Sequence, residues 1–143
     1  MIMKQEEKTL LLQDLCARLP YGVHIRIEAS LETGKDGYDG PLESIDLGYN
    51  IFNGYSVMPE SVKPYLRPME SMTEEEKEYI KNRWCYEDCD DFIPIGYFNN
   101  YQIDAGDTYA FIDWLNKKKF DYRGLIQMGL ALPASEGMYS NKH

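Results

Sequence analysis

The sequence predicts an α+β protein. An N-terminal helix leads into a small SH3-like β-barrel or curled antiparallel sheet, and a region of short helices closes the chain. Three observations predict this. Leucines recur every fourth residue near the start, short alternating runs separated by glycine turns follow as far as residue 58, and helix-start signals take over after residue 70. Between the two styles lies Val62–Glu76, where Pro64 and Pro68 remove backbone donors and push Lys63 and Arg67 toward extended geometry. With 143 residues, 43% of them apolar and 27% charged, the chain can bury a core without disulfides or metals. We expect a single domain, 1–143, with a helix-plus-β part at 1–69 and a mainly helical part at 70–143.

Residues 5–19 read as the first helix. Leu11, Leu15 and Leu19 share a face, with Leu12 and Cys16 one step round it. Glu6 and Glu7 in the first turn and Arg18 in the last suit the helix dipole, and Pro20 and Gly22 stop the helix. Cys16 is expected to be a small core residue. Residues 22–29 alternate as a half-buried strand, with Val23, Ile25, Ile27 and Ala29 inward and His24, Arg26 and Glu28 facing solvent. Asp36-Gly37 and Asp39-Gly40 in the following loop signal a hairpin. A second strand fits 42–48 and a third fits 51–58, around Asn53-Gly54. The Pro64–Pro68 segment should leave this sheet as an edge strand or extended tail.

Thr73-Glu74-Glu75-Glu76 matches a capping box, as does Ser71-x-x-Glu74 just before it. The helix they open should run to about Trp84 and pack through Tyr79, Ile80, Arg83 and Trp84. Residues 92–103 fit a hairpin turned at Asn99-Asn100, its first arm demoted to an edge by Pro94. Asp104 or Asp107 can cap a helix over 108–118 with Phe111, Trp114 and Leu115 inward. Asp121 can then cap a shorter helix bearing Tyr122, Leu125 and Ile126 and ending at Gly129. From about 131 the chain reads as a mobile tail.

The formal net charge is −9, which argues against a simple electrostatic nucleic-acid binder. Residues 70–91 concentrate the acids: nine (Glu70, Glu74, Glu75, Glu76, Glu78, Glu87, Asp88, Asp90, Asp91) against the three bases Lys77, Lys81 and Arg83. Three cysteines, Cys16, Cys85 and Cys89, do not make a disulfide framework, and no stretch resembles a signal peptide or membrane span. A cytoplasmic protein is therefore expected. Enzyme chemistry finds little support. His24 is the only internal histidine and has no nucleophile motif beside it, and Gly34, Gly37 and Gly40 open no phosphate loop. Cys85 and Cys89 lack the four nitrogen or sulfur ligands of structural zinc, and the loop at 31–41 lacks the ligand spacing of a calcium loop. We therefore expect no catalytic residues, no metal and no cofactor, while an enzyme of unrecognised type stays open as an alternative. The leading expectation is a non-enzymatic interaction protein that binds a basic protein partner through Glu74, Glu75, Glu78, Glu87, Asp88, Asp90 and Asp91. The alternative is a nucleic-acid-binding module. In it the helices at 108–130 form a helix-turn-helix and Lys117, Lys118, Lys119 and Arg123 meet phosphates.

Several stretches resemble a family of small proteins met in gut bacteria and in their phages and mobile elements. They are Leu15-Cys16-Ala17-Arg18-Leu19-Pro20-Tyr21-Gly22-Val23, Lys63-Pro64-Tyr65-Leu66-Arg67-Pro68-Met69, Ser71-Met72-Thr73-Glu74-Glu75-Glu76-Lys77, and Asp113-Trp114-Leu115-Asn116 with Phe120-Asp121-Tyr122-Arg123-Gly124-Leu125-Ile126. The resemblance touches both ends of the chain and leaves about 24–60 and 84–110 unmatched. It implies a phage or mobile-element setting and carries over no activity and no catalytic residue.

Overall fold

The computed structural model describes residues 3–84 and 105–139, and it is α+β. Helix α1, Gln5–Arg18, forms where the leucine recurrence predicts, but rolled about its axis. Its buried residues are Leu11, Asp14, Leu15 and Arg18, a stripe at successive steps of three, one and three. Leu12 and Leu19 are half-buried at its flank, and Cys16, expected in the core, is exposed. The roll is possible because Asp14 and Arg18, one turn apart, neutralise each other inside the protein. The Arg18 Nε donates to both Asp14 carboxylate oxygens at 3.0 and 2.9 Å.

Strand β1, His24–Ile27, lies inside a four-stranded sheet ordered β2-β1-β6-β7. Val23, Ile25 and Ile27 are fully buried, as alternation requires, whereas Ala29 lies past the strand end and is exposed. A hairpin forms, but not with the expected strand over 42–48: its second arm is β2, Tyr38–Pro41, inside the expected loop and containing Asp39-Gly40, and it pairs antiparallel with β1. Gly37 makes the return possible. Its φ is +71°, and a Cβ there would collide with the Ile27 carbonyl oxygen. A smaller sheet of β3 (Ile45–Asp46), β4 (Ile51–Phe52) and β5 (Tyr55–Ser56) follows. The run at 51–58 is therefore two strands, joined by Asn53-Gly54 with both φ values positive, the signature of a type I′ turn. The Asn53 side chain also ties the approach to β3, accepting from Glu43 N–H and donating to the Pro41 carbonyl. Among the described residues the strands make two open sheets and not a closed barrel.

The Pro64–Pro68 segment does not leave the sheet. Strand β6, Val62–Leu66, is internal, antiparallel to β1 and parallel to β7, Leu132–Pro133. Register explains why Pro64 is tolerated. Glu28 N–H donates to the Ser61 carbonyl, so bonding pairs alternate from there and Pro64, opposite Ile25, falls at a non-bonding position. Its nitrogen faces β7, whose pairing starts only at Tyr65.

Helix α2, Glu74–Trp84, starts at the Thr73 capping box. Glu76 N–H donates to the Thr73 hydroxyl at 3.1 Å, and Thr73 N–H donates to the Glu76 carboxylate at 2.9 Å. Ser71 makes no such box; its hydroxyl donates to the Pro68 carbonyl within a 3₁₀ turn, Met69–Ser71. Helix α3, Ala105–Lys117, begins before Asp107, which is therefore not its cap; Asp104 and the hairpin expected at 92–103 lie outside the described residues. The second helix of the expected helix-turn-helix is not formed. Residues 121–129 are a series of turns, because Gly124 is left-handed at φ +76° and the Asp121 carboxylate takes the N–H groups of Leu125 and Ile126. The expected tail from about 131 is also built in, through β7 and onward to Tyr139.

Two apolar clusters result. One joins α1, β1, β4 and β6 with Leu125, Leu130 and Ala131 from the C-terminal turns. The other packs Met69, Met72 and Ile80 against Phe111, Leu115 and Phe120.

Candidate functional site

Between α2 and the end of β6, one carboxylate is used for structure and the rest are not. Glu76 is buried and forms a bidentate pair with Arg67, Nη1 to Oε2 at 2.8 Å and Nη2 to Oε1 at 2.7 Å. The Arg67 guanidinium lies 4.1 Å from the centre of the Phe120 ring, and its backbone clamps the chain after α3. It donates its N–H to the Lys119 carbonyl and accepts from Asp121 N–H. Burial opposes ionisation of Glu76. The Arg67 bond, the Thr73 N–H and the Arg67 charge outweigh it and hold the carboxyl below the usual range. Sequence reasoning saw Glu76 only as a helix-start residue; its pairing with Arg67 joins two elements whose approach no local pattern encodes.

Glu70, Glu74, Glu75 and Glu78 are all exposed. Among the described residues only Glu74 of these has an ion-pair partner, Lys77 at 3.1 Å, with the carboxylate side chain 89% exposed. Tyr79, on the same helix, is exposed and stacked on Trp114 with ring centres 5.5 Å apart. The structure thus brings Glu74, Glu75 and Glu78 onto one helix beside an aromatic side chain. Glu87, Asp88, Asp90 and Asp91 lie outside the described residues, as do Cys85 and Cys89.

The basic set is divided between the surface and the interior. Lys117 is exposed, and Lys118 lies 6.0 Å from the Trp114 ring centre. Lys119, left-handed at φ +65°, sits 5.1 Å from the Tyr139 ring centre, and burial together with the Arg18 charge lowers its pKa. Arg123 turns inward to Asp14 at 2.5 Å and stacks over Tyr122 at 4.6 Å. Asp14 is thus shared by two arginines, and Arg18 also donates to the Phe120 carbonyl at 2.6 Å. Tyr122, between both guanidiniums, is pushed up chiefly by burial while its hydroxyl donates to Asn116.

A groove of about 690 Å³ runs beside the start of α2. Arg67, Pro68, Ser71 and Thr73 form one wall; Ala134 to Gly137 and Tyr139 form the other. The Ser71 and Thr73 hydroxyls are engaged in local turns, and among the described residues no histidine or cysteine lines it. His24 is half-buried instead of facing solvent, its ring edge-on to Tyr139. Among the described residues no three His, Cys, Asp or Glu side chains are grouped to hold a metal ion, and no helix is long and apolar enough to cross a membrane.

The fold and this surface define an α+β protein whose second helix bears exposed glutamates and an exposed tyrosine. No protein-family model, curated protein or solved structure matches the chain.

Proposed function

We propose that this is a small non-enzymatic interaction protein, acting in the cytoplasm in a phage or mobile-element setting, that binds a basic protein partner through the exposed face of α2. One observation carries the reading: of the five glutamates between 70 and 78, only Glu76 is buried in an ion pair, and the other four are exposed. Charges that the fold does not use cost little to keep at a surface and steer a partner of opposite sign. Tyr79, held by stacking on Trp114, gives that surface a preorganised aromatic anchor.

The test is affinity capture from host lysate at low and moderate salt, followed by titration of the identified partner against the protein and against the triple variant Glu74→Lys, Glu75→Lys, Glu78→Lys. A salt-sensitive basic partner should bind the variant at least ~10-fold more weakly, with the circular dichroism of the variant unchanged. Equal affinity of both proteins at low salt refutes the proposal.

A further inference from the structure

The segment after β7 carries a tyrosine, Tyr139, that interrupts a sheet. Strands β1 and β6 pair at Ile27↔Val62, Arg26↔Lys63 and Ile25↔Pro64, and the next pair in register is His24 with Tyr65. Alternation from the Glu28–Ser61 bond makes that a hydrogen-bonding position. The Tyr139 hydroxyl occupies it instead. It accepts from His24 N–H at 2.8 Å and donates to the Tyr65 carbonyl at 2.7 Å. Its ring is edge-on to the His24 imidazole, with centres 5.4 Å apart. Burial raises the hydroxyl well above the usual tyrosine range, so it stays protonated and can donate and accept together.

We propose that residues 134–139 form a latch that opens as a unit, with the Tyr139 hydroxyl as its bolt, and that on opening His24 and Tyr65 pair directly. Removing a hydrogen-bond partner ordinarily leaves buried groups unsatisfied, which keeps such segments closed. Here the two groups that Tyr139 releases stand opposite each other in register, so the β1–β6 ladder lengthens by one pair and neither is left without a partner. Apart from the Tyr139 ring, which also meets Lys119, the segment is lightly held. Ser135, Glu136 and Gly137 are exposed, and the Met138 N–H bond to the Ser135 carbonyl is internal to the segment. Its attachment upstream is the Ala134 N–H bond to the Leu66 carbonyl and the two-residue β7. Opening removes one wall of the groove and bares the other, Arg67 to Thr73. Access to that wall is then governed by a two-state element that a ligand or partner can bias.

Native-state hydrogen exchange of the whole chain, followed by NMR across low denaturant concentrations, tests this. The Ala134 amide should exchange through a local opening with little denaturant dependence, about tenfold or more faster than the Ile25 and Arg26 amides of β1. The His24 amide should be as slow as its β1 neighbours, because it is bonded in both states. Tyr139→Phe keeps the ring and removes the bolt. It should speed Ala134 exchange by a further tenfold or so while His24 stays protected. If His24 loses protection together with Ala134 in the variant, the hydroxyl is a structural filler and there is no second state. If Ala134 in the unmodified protein exchanges only with global unfolding, the latch is overturned whether or not the variant folds.

Discussion

Asp14→Asn isolates the buried charge network from its packing, since asparagine keeps the volume of aspartate and removes its charge. Asp14 and Arg18 are both fully buried, and Arg123, which shares the carboxylate, is 20% exposed. Without the carboxylate charge, Arg18 would keep its own charge inside the core, facing the Phe120 carbonyl, the Tyr122 ring and a neutral amide. Its Nη1 already lacks a hydrogen-bond partner among the described residues. Breaking a buried pair by removing one member costs about 3–5 kcal/mol, because the remaining charge is uncompensated. Arg123 can turn toward water, so the penalty rests mainly on Arg18. With an m-value of about 1.5 kcal/mol per molar urea, the unfolding midpoint should fall by about 2 M or more at unchanged m. The double variant Asp14→Leu, Arg18→Met removes both charges. Its cost should be smaller than that of Asp14→Asn alone, because no buried charge is left without a counter-charge and the Phe120 carbonyl keeps its bond from the Tyr122 N–H at 3.0 Å. A loss below about 1 kcal/mol for Asp14→Asn would refute the reasoning, as would a double variant weaker than the single one.

Two further outcomes are expected. Glu76 has a folded pKa below its ordinary value near 4.5, so its pairing with Arg67 stabilises the protein fully above that pH and less as pH falls through the lower, folded value. Glu76→Gln should therefore cost about 1.5–3 kcal/mol at pH 7, and its difference from the unmodified protein should shrink in urea titrations below about pH 4; a difference constant from pH 7 to pH 3 would contradict the assignment. Gly124→Ala and Gly37→Ala should differ although both glycines have positive φ. Nothing lies within 4 Å of a Cβ at Gly124, so only backbone strain of about 1 kcal/mol applies, whereas at Gly37 the Ile27 carbonyl is also in the way and the thermal midpoint should drop several degrees further.

The sheet was legible where its signals are local. Alternation over Val23–Ile27 specifies β1, and Asp36-Gly37 signals the return, although Asp39-Gly40 proved to be part of β2 and not a second turn; Thr73 with Glu76 specifies a helix start on its own. The inner position of β6 was not legible, because proline in a strand counts against it unless the register is known. That register depends on which residue of β1 faces Ser61, a fact held by the tertiary fold. The turns at 121–129 were misread for a related reason. A periodic apolar pattern, Tyr122, Leu125 and Ile126, is satisfied equally by a helix and by turns that bury the same side chains. Gly124 inside it and a carboxylate free to take backbone N–H groups decide for the turns. Of the candidate acidic surface, exposure of Glu74, Glu75 and Glu78 could be read from the sequence, but not that Glu76 between them is withdrawn into the core.

The face of α1 is the most instructive misreading, because the correct answer was present in the spacing. Leu11, Leu15 and Leu19 make a stripe only if Asp14 and Arg18 are counted as surface residues. Leu11, Asp14, Leu15 and Arg18 make an equally regular one if the two charges are counted as a unit. An acid and a base one turn apart can neutralise each other within one helix, so their burial is less costly than that of either alone. What selects the second stripe is material outside α1. The Phe120 carbonyl and Arg123, more than a hundred residues away, supply the acceptor and the donor that the pair still needs. The chain end that the sequence presents as separate helices and a tail is thus what completes the first helix. By the same reasoning, variants that loosen 120–123 should expose the α1 charges and destabilise the N-terminal half as much as the C-terminal one.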